Sequence, residues 1–239
     1  ILVGVKRGFI TREEALKRYT KMVDFLERAD RFHGAWPHWL NGETGKTVPF
    51  SKKDTGGDLV ETAFLIQGML AVKEYFRDGN ENEQRLVKKI DKLWREVEWN
   101  WYTKGENVLY WHWSPTDNWD MNFPVGGYNE CLIMYVLAAS SPTYSISKDV
   151  YNEGWAKSGK IISKDSMYGK ALVLNYYEHN DDLIGPLFWA HYSYLGLNPN
   201  GLKDQYADYW KLTQNQAKIH HSYSIENPKD FKGYGDIIW

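Results

Sequence analysis

An all-α fold, an (α/α)6 toroid that is incomplete in this chain, is what three observations predict. Amphipathic segments, polar on their backs, alternate along the sequence with segments almost free of charge. Each charge-free segment is entered through a turn rich in Gly, Pro or carboxylates. The resulting order is outer, inner, outer, inner, outer, inner, outer, which is what inner helices wrapped by an outer ring require. In such a toroid the loops that feed the inner helices gather at one end and form a cleft. Roughly seven helices are legible, a little over half of what six hairpins supply. Residues 1–239 are therefore expected to be one partial α/α-barrel domain. The chain opens at Ile1 without Met and stops at the apolar Ile237-Ile238-Trp239, and both ends are expected to be missing.

Taken in order, Thr11 and Glu14 form a capping box for an outer helix with Ala15, Tyr19, Met22, Val23 and Leu26 on its apolar stripe. The loop from Asp30 to Lys53 is long for a connection and rich in aromatics, including Trp36 and Trp39, which marks it as functional rather than disordered. The first inner helix follows Asp54-Thr-Gly-Gly-Asp58. The eleven residues Thr62–Val72 carry no charge, and two overlapping stripes, Leu59, Ala63, Ile66 and Leu70 and then Val60, Phe64 and Ala71, predict burial around most of the girth. Residues 82–101 form a second outer helix with the stripe Leu86, Ile90, Leu93, Trp94, Val97 and Trp101. Val108–Trp113 suits a short strand or a hairpin arm. Gly126-Gly-Tyr-Asn-Glu130 leads into a second inner helix, residues 131–140, with Tyr128 or Asn129 near its cap. A polar helix over 148–158 follows. A third inner helix is opened by Asp181-Asp182 and Pro186 and ends at Gly196. A last outer helix spans 204–221, with Tyr206, Tyr209, Trp210, Thr213 and Ala217 on one side.

Composition narrows the function. The net charge is −2, from 29 basic and 31 acidic residues that are interspersed, so no basic footprint for nucleic acid exists. The single cysteine, Cys131, excludes an internal disulfide framework and suits a core position. No stretch suits a membrane-spanning helix. Twelve Trp in a chain that is 16% aromatic exceed what a core needs. An indole offers a flat apolar face and one N–H donor, so the excess predicts an aromatic-lined surface.

The chemistry is expected at three carboxylates, Asp54, Asp58 and Glu130, all in Gly-rich approaches to inner helices. Asp58 and Glu61 suit the N-cap and N3 positions of a capping box, a role that does not exclude chemistry. A glycosidase needs two carboxyl groups across one bond, standing roughly 6.5–9.5 Å apart in inverting enzymes. Glu130 precedes a charge-free helix, so desolvation should raise its pKa toward that of a proton donor. Trp36, Trp39, Trp111, Trp113, Trp119 and Phe123 are candidate platforms for sugar rings, with His191 as a further substrate-binding candidate. The seven histidines show no zinc-ligand spacing, and neither a G-x-S-x-G elbow nor a phosphate-binding glycine pattern occurs. No metal and no cofactor are expected.

Ile10-Thr-Arg-Glu-Glu-Ala-Leu, Phe32-His-Gly, Glu43-Thr-Gly-Lys46, Gly126-Gly-Tyr-Asn-Glu130 and Pro186-Leu-Phe-Trp-Ala-His-Tyr-Ser-Tyr-Leu-Gly196 resemble the bacterial glucoamylase-like proteins. That group includes endo-β-1,2-glucanases and a domain of cyclic β-1,2-glucan synthases. The resemblance runs through nearly the whole chain in the same order. It implies an (α/α)6 barrel, a periplasmic or secreted location, and hydrolysis of β-linked glucan. It also implies that Asp54, Asp58 and Glu130 are the acidic cleft residues. More distant relatives have Ser-Thr-x-Asp-Thr-Ala where this chain has Gly56-Gly-Asp-Leu-Val-Glu-Thr-Ala63, which favours the glucanase branch. The expected partner is an oligo- or polysaccharide substrate, and the expected state a monomer. Rival readings are a non-catalytic glycan-binding helical protein and a polysaccharide lyase on the same toroid, which would want a basic cleft and a Tyr or His base. A terpene-type cyclase would need an Asp-Asp-x-x-Asp run, which is absent.

Overall fold

A computed structural model describes residues 1–176 and 184–237. The opening of the third inner helix at Asp181-Asp182, His179 and the terminal Ile238-Trp239 lie outside the described residues. The chain divides into two compact units. The first comprises residues 1–105, 110–124 and 136–146, and the second residues 106–109, 125–135 and 147–239. Helix is the main regular structure, and the strands are two residues each.

In the first unit, α1 (Leu2–Lys6) is a short turn that the sequence does not announce. α2 (Arg12–Arg28) starts where its cap predicts, the Thr11 hydroxyl accepting from Glu14 N at 3.1 Å. Ala15 and Val23 are buried, but Met22 is 51% exposed and leaves the expected stripe. α3 (Leu59–Phe76) is the first inner helix. Leu59, Ala63, Ile66, Met69, Val72 and Phe76 are buried on it, whereas Val60 and Phe64 of the second expected stripe are half-buried and Ala71 is exposed. α4 (Glu81–Arg95) packs with both α2 and α3. Its start is fixed by a complete capping box between Asn80 and Glu83. Its polar back is tied to α2 by Lys89, which reaches Asp24 at 2.5 Å and Glu27 at 2.8 Å.

The expected continuation of α4 to Trp101 does not occur. The Glu98 N–H donates to His33 O rather than to the carbonyl four residues back, which ends the ladder, and Trp101–Thr103 is a separate 3₁₀ turn. The strand expected over 108–113 is present as two short pieces, Leu109–Tyr110 and His112–Trp113. The latter pairs antiparallel with Gly57–Asp58, so that Gly57 lies opposite Trp113 and Asp58 opposite His112.

α5 (Leu132–Ser140) is the second inner helix. As expected, Asn129 stands at its start, its side-chain oxygen accepting from Cys131 N at 2.9 Å, and Cys131 is buried. In the second unit three expectations need correction. The polar helix over 148–158 becomes a π-helical turn, Val150–Trp155, closed by Lys157 and Ser158 at φ of 49° and 54°. The third inner helix, within its described residues, is two 3₁₀ turns, Leu187–Ala190 and Tyr192–Leu195, broken at His191, whose φ of −124° is not helical. The last helix, α6 (Tyr209–Glu226), starts five residues late. Asp204 spends its side chain on a local turn, accepting from Tyr206 N and Ala207 N at 2.8 Å each, and Asp208 is the cap instead. Trp210, expected on its apolar side, is 44% exposed. No helix among the described residues is long and apolar enough to cross a membrane.

Candidate active site

The approach to α3 is built by close packing of main chain. A Cβ on Gly56 would stand 2.1 Å from Trp113 O, and one on Gly57 would stand 2.2 Å from the Tyr102 hydroxyl. Only glycine fits at either place. Asp58 N–H donates to Trp36 O at 2.9 Å and Leu59 N–H to Trp111 O at 2.8 Å, so the first turn of α3 is clamped from two sides. This corrects the expected capping box. Asp58 Oδ1 accepts from Glu61 N at 2.9 Å, but the Asp58 amide that a Glu61 side chain would take is already bonded to Trp36.

Asp58 is fully buried, and its remaining oxygen, Oδ2, lies 2.7 Å from Nδ1 of His38. The imidazole stacks on Phe50 with ring centroids 4.1 Å apart. The hydrogen bond to Asp58 raises the His38 pKa, outweighing the burial that would lower it. Asp54, 1% exposed, has a different setting. Its Oδ1 is 3.2 Å from Nε2 of the buried His112. The Gly56 N–H points at that same nitrogen from 3.2 Å and uses it as acceptor. His112 is thus a close neighbour of Asp54 rather than a hydrogen-bond donor to it, and neither Asp54 oxygen has a donor. A buried carboxylate without donors is costly unless a ligand or water completes it. The two aspartates therefore differ: Asp58 is spent on a helix cap and an imidazole, and Asp54 retains free lone pairs.

Oxygens of Asp54 and Asp58 and a nitrogen of His38 all lie within 4.8 Å of one another, close enough to face a cation. The 2.7 Å contact between His38 and Asp58 nonetheless reads as a shared proton. Two ligand atoms around a tetrahedral zinc at the usual bond lengths stand roughly 3.3 Å apart. The donors form a hydrogen-bonded pair next to an open carboxylate.

Glu130 belongs to the second unit. It is half-buried, and burial raises its pKa, as its place before an apolar helix predicts. Its carbonyl accepts from Ser193 Oγ at 2.7 Å, and the same hydroxyl accepts from Ile133 N at 3.0 Å. Ser193 thus ties the start of α5 to the 3₁₀ turn that contains it. The Gly126-Gly127 approach is again a close passage of chains, with a Gly126 Cβ only 2.4 Å from Gly154 O.

The candidate platforms separate by exposure. Trp39 is 54% exposed and Phe123 40% exposed, so each offers a ring face or edge to solvent. Trp36 is 2% exposed, donates its indole N–H to Leu26 O at 3.1 Å, and is covered by the Arg31 guanidinium at 4.3 Å. It packs the loop and presents no face to a sugar. Trp113 and Trp119 are half-buried beside Trp101, and Trp113 lies edge-on to His33. His191 is half-buried, with its pKa lowered by burial and then by His220. His38 and His112 were not singled out by sequence. The available signal was a histidine in an aromatic loop and a lone histidine between two tryptophans.

Residues 122–239 match a family model described as "Putative glucoamylase". Over these residues the chain is similar to the glucoamylase-like proteins. The whole chain is 44% identical to an "Exo beta-1,2-glucooligosaccharide sophorohydrolase (non-reducing end)" from Parabacteroides distasonis, covering 35% of that protein. It is similar to a solved endo-beta-1,2-glucanase from Chitinophaga pinensis, in complex with sophorotriose and glucose. There the identity is 60%, the TM-score 0.95, and the coverage 98% of this chain and 56% of that one. A solved "putative glucoamylase" from Bacteroides caccae gives 55% identity and a TM-score of 0.94, with coverage of 98% and 56%. The chain thus spans between about a third and somewhat over half of the length of these glucoamylase-like relatives.

Proposed function

We propose that this chain is part of a glycoside hydrolase acting on β-1,2-glucan. The observation that carries the reading is identity of 60% over 98% of the chain with a protein described as an endo-β-1,2-glucanase. The buried, donor-free Asp54 supports it from the side of chemistry. In this reading residues 1–239 supply part of an (α/α)6 toroid. The protein is periplasmic or secreted, works as a monomer, and binds sugar rings on Trp39 and Phe123.

The reaction assigned is an inverting, two-carboxylate hydrolysis. Glu130, whose carboxyl is pushed up by burial, gives its proton to the glycosidic oxygen as the C–O bond breaks. A carboxylate on the other side takes a proton from the water that attacks the anomeric carbon. Asp54 is the better base of the two aspartates, because both Asp58 oxygens are already bonded.

The test is product analysis of the full-length protein against a panel of β-glucans. Hydrolysis confined to β-1,2-glucan with inverted anomeric configuration at the new reducing end is expected. Release of sophorose alone would place it with exo-acting relatives, and a ladder of oligosaccharides with endo-acting ones. Binding without turnover, or an unsaturated product, would overturn the proposal in favour of a glycan-binding protein or a lyase.

A further inference from the structure

The acid and base roles above leave the His38–Asp58 pair unexplained. Asp54 and Asp58 oxygens lie within 4.8 Å of each other, both essentially without solvent. Two negative charges so placed repel each other, and a positive charge beside them offsets that repulsion. His38 is placed to supply it. Its Nδ1 is 2.7 Å from Asp58 Oδ2, and its face is held by Phe50. Its loop is sewn to the start of α3 by Trp36 N–H donating to Thr62 Oγ1 at 2.9 Å and by Asp58 N–H donating to Trp36 O.

We propose that His38 is a positioning residue whose imidazolium holds Asp58 in place and offsets its negative charge, so that Asp54 is left to serve as base. The assignment rests on the hydrolase reading given above. The charged and titratable groups that face the imidazole are Glu61 from α3, Asp58 at its cap and Asp54 from the approach to it, with His112 behind Asp54. All three carboxylates favour the charged ring, and the raised His38 pKa agrees. Phe50, on the remaining face, carries no charge.

His38→Asn separates charge from geometry, since the Asn amide can still donate to Asp58 but cannot be cationic. In the full-length protein this variant should retain its melting temperature. Its kcat/KM on β-1,2-glucan at neutral pH should fall about tenfold to a hundredfold, toward the range for lost acid–base help. Its pH profile should change shape, because the titratable cation that faces the two carboxylates is gone. A variant with the wild-type profile and rate would overturn the proposal. A second measurement does not depend on activity: the His38 ring is titrated by NMR in the wild type and in Asp58→Asn, which retains the helix cap. The ring should keep its proton to higher pH in the wild type. Equal titration in the two proteins would overturn the pairing, whereas a wild type inactive on every glucan with the NMR difference present would sink only the hydrolase reading.

Discussion

The main chain of Gly56 passes so close to that of Trp113 that a Cβ on Gly56 would stand 2.1 Å from the Trp113 carbonyl oxygen. The obstacle is backbone, held by the Gly57–Asp58 and His112–Trp113 pairing, and it has no side-chain freedom with which to yield. Gly56→Ala should therefore cost about 1–3 kcal/mol through overpacking. At about 2–4 °C per kcal/mol, a melting curve should show a loss on the order of 5 °C, with activity reduced further because Asp54 is displaced. An unchanged melting temperature would mean that the two strands can separate freely.

Asp58 and Asp54 are told apart by their asparagine variants. Asn caps a helix about as well as Asp. Asp58→Asn should therefore melt normally, and any fall in rate reports the charge. Asp54 has no donor to lose, so Asp54→Asn should also fold, and it should lose activity by about a hundredfold or more if Asp54 is the base. The larger loss is expected at Asp54. Full activity in both variants would move the base to another carboxylate.

Glu130 gives a stability signature with a definite sign. Burial raises its folded pKa above its unfolded value, so between the two the native state binds more protons. Stability contributed by this group is present at low pH and falls as pH rises toward and through the folded pKa. Glu130→Gln removes that dependence. The variant should melt higher than the wild type at neutral pH and equal to it below about pH 4, while hydrolysis is nearly abolished. A variant that melts lower at neutral pH would show that the carboxylate is stabilised rather than desolvated.

Trp36 and Trp39, three positions apart, should respond oppositely. Trp36→Ala empties a core site at a cost of about 3–5 kcal/mol, readable as a fall on the order of 10 °C. Trp39→Ala removes an exposed ring and should leave the melting temperature nearly unchanged, while KM for β-1,2-glucan rises about threefold to tenfold. Equal effects on KM would return Trp36 to the sugar-binding set.

Elements decided by neighbours in sequence were legible, and those decided by distant chain were not. α2 and α3 start at Thr11 and Asp58 because a cap and an apolar period are both local signals. α4 stops early because the Glu98 amide is claimed by His33, a residue in another loop. The start of α6 was missed because Asp204 is as good a turn former as it is a cap. The acids Asp54, Asp58 and Glu130 stood out by their Gly-rich approaches. Their partners His38, His112 and Ser193 did not, since each is brought in across more than 15 residues by pairing or packing that no local pattern encodes.

The pairing of Gly57–Asp58 with His112–Trp113 is only two residues long, yet it decides which ring stands behind Asp54. Side chains alternate faces along a strand, so a slip of one position would exchange imidazole for indole there. The local caps at Thr11, Asn80 and Asp208 lie away from this ladder. An insertion or deletion of one residue beside this short ladder is therefore a graver change than most substitutions of the acids' neighbours. It would produce a chain that carries every acid in its sequence but has lost the surroundings that Asp54 needs.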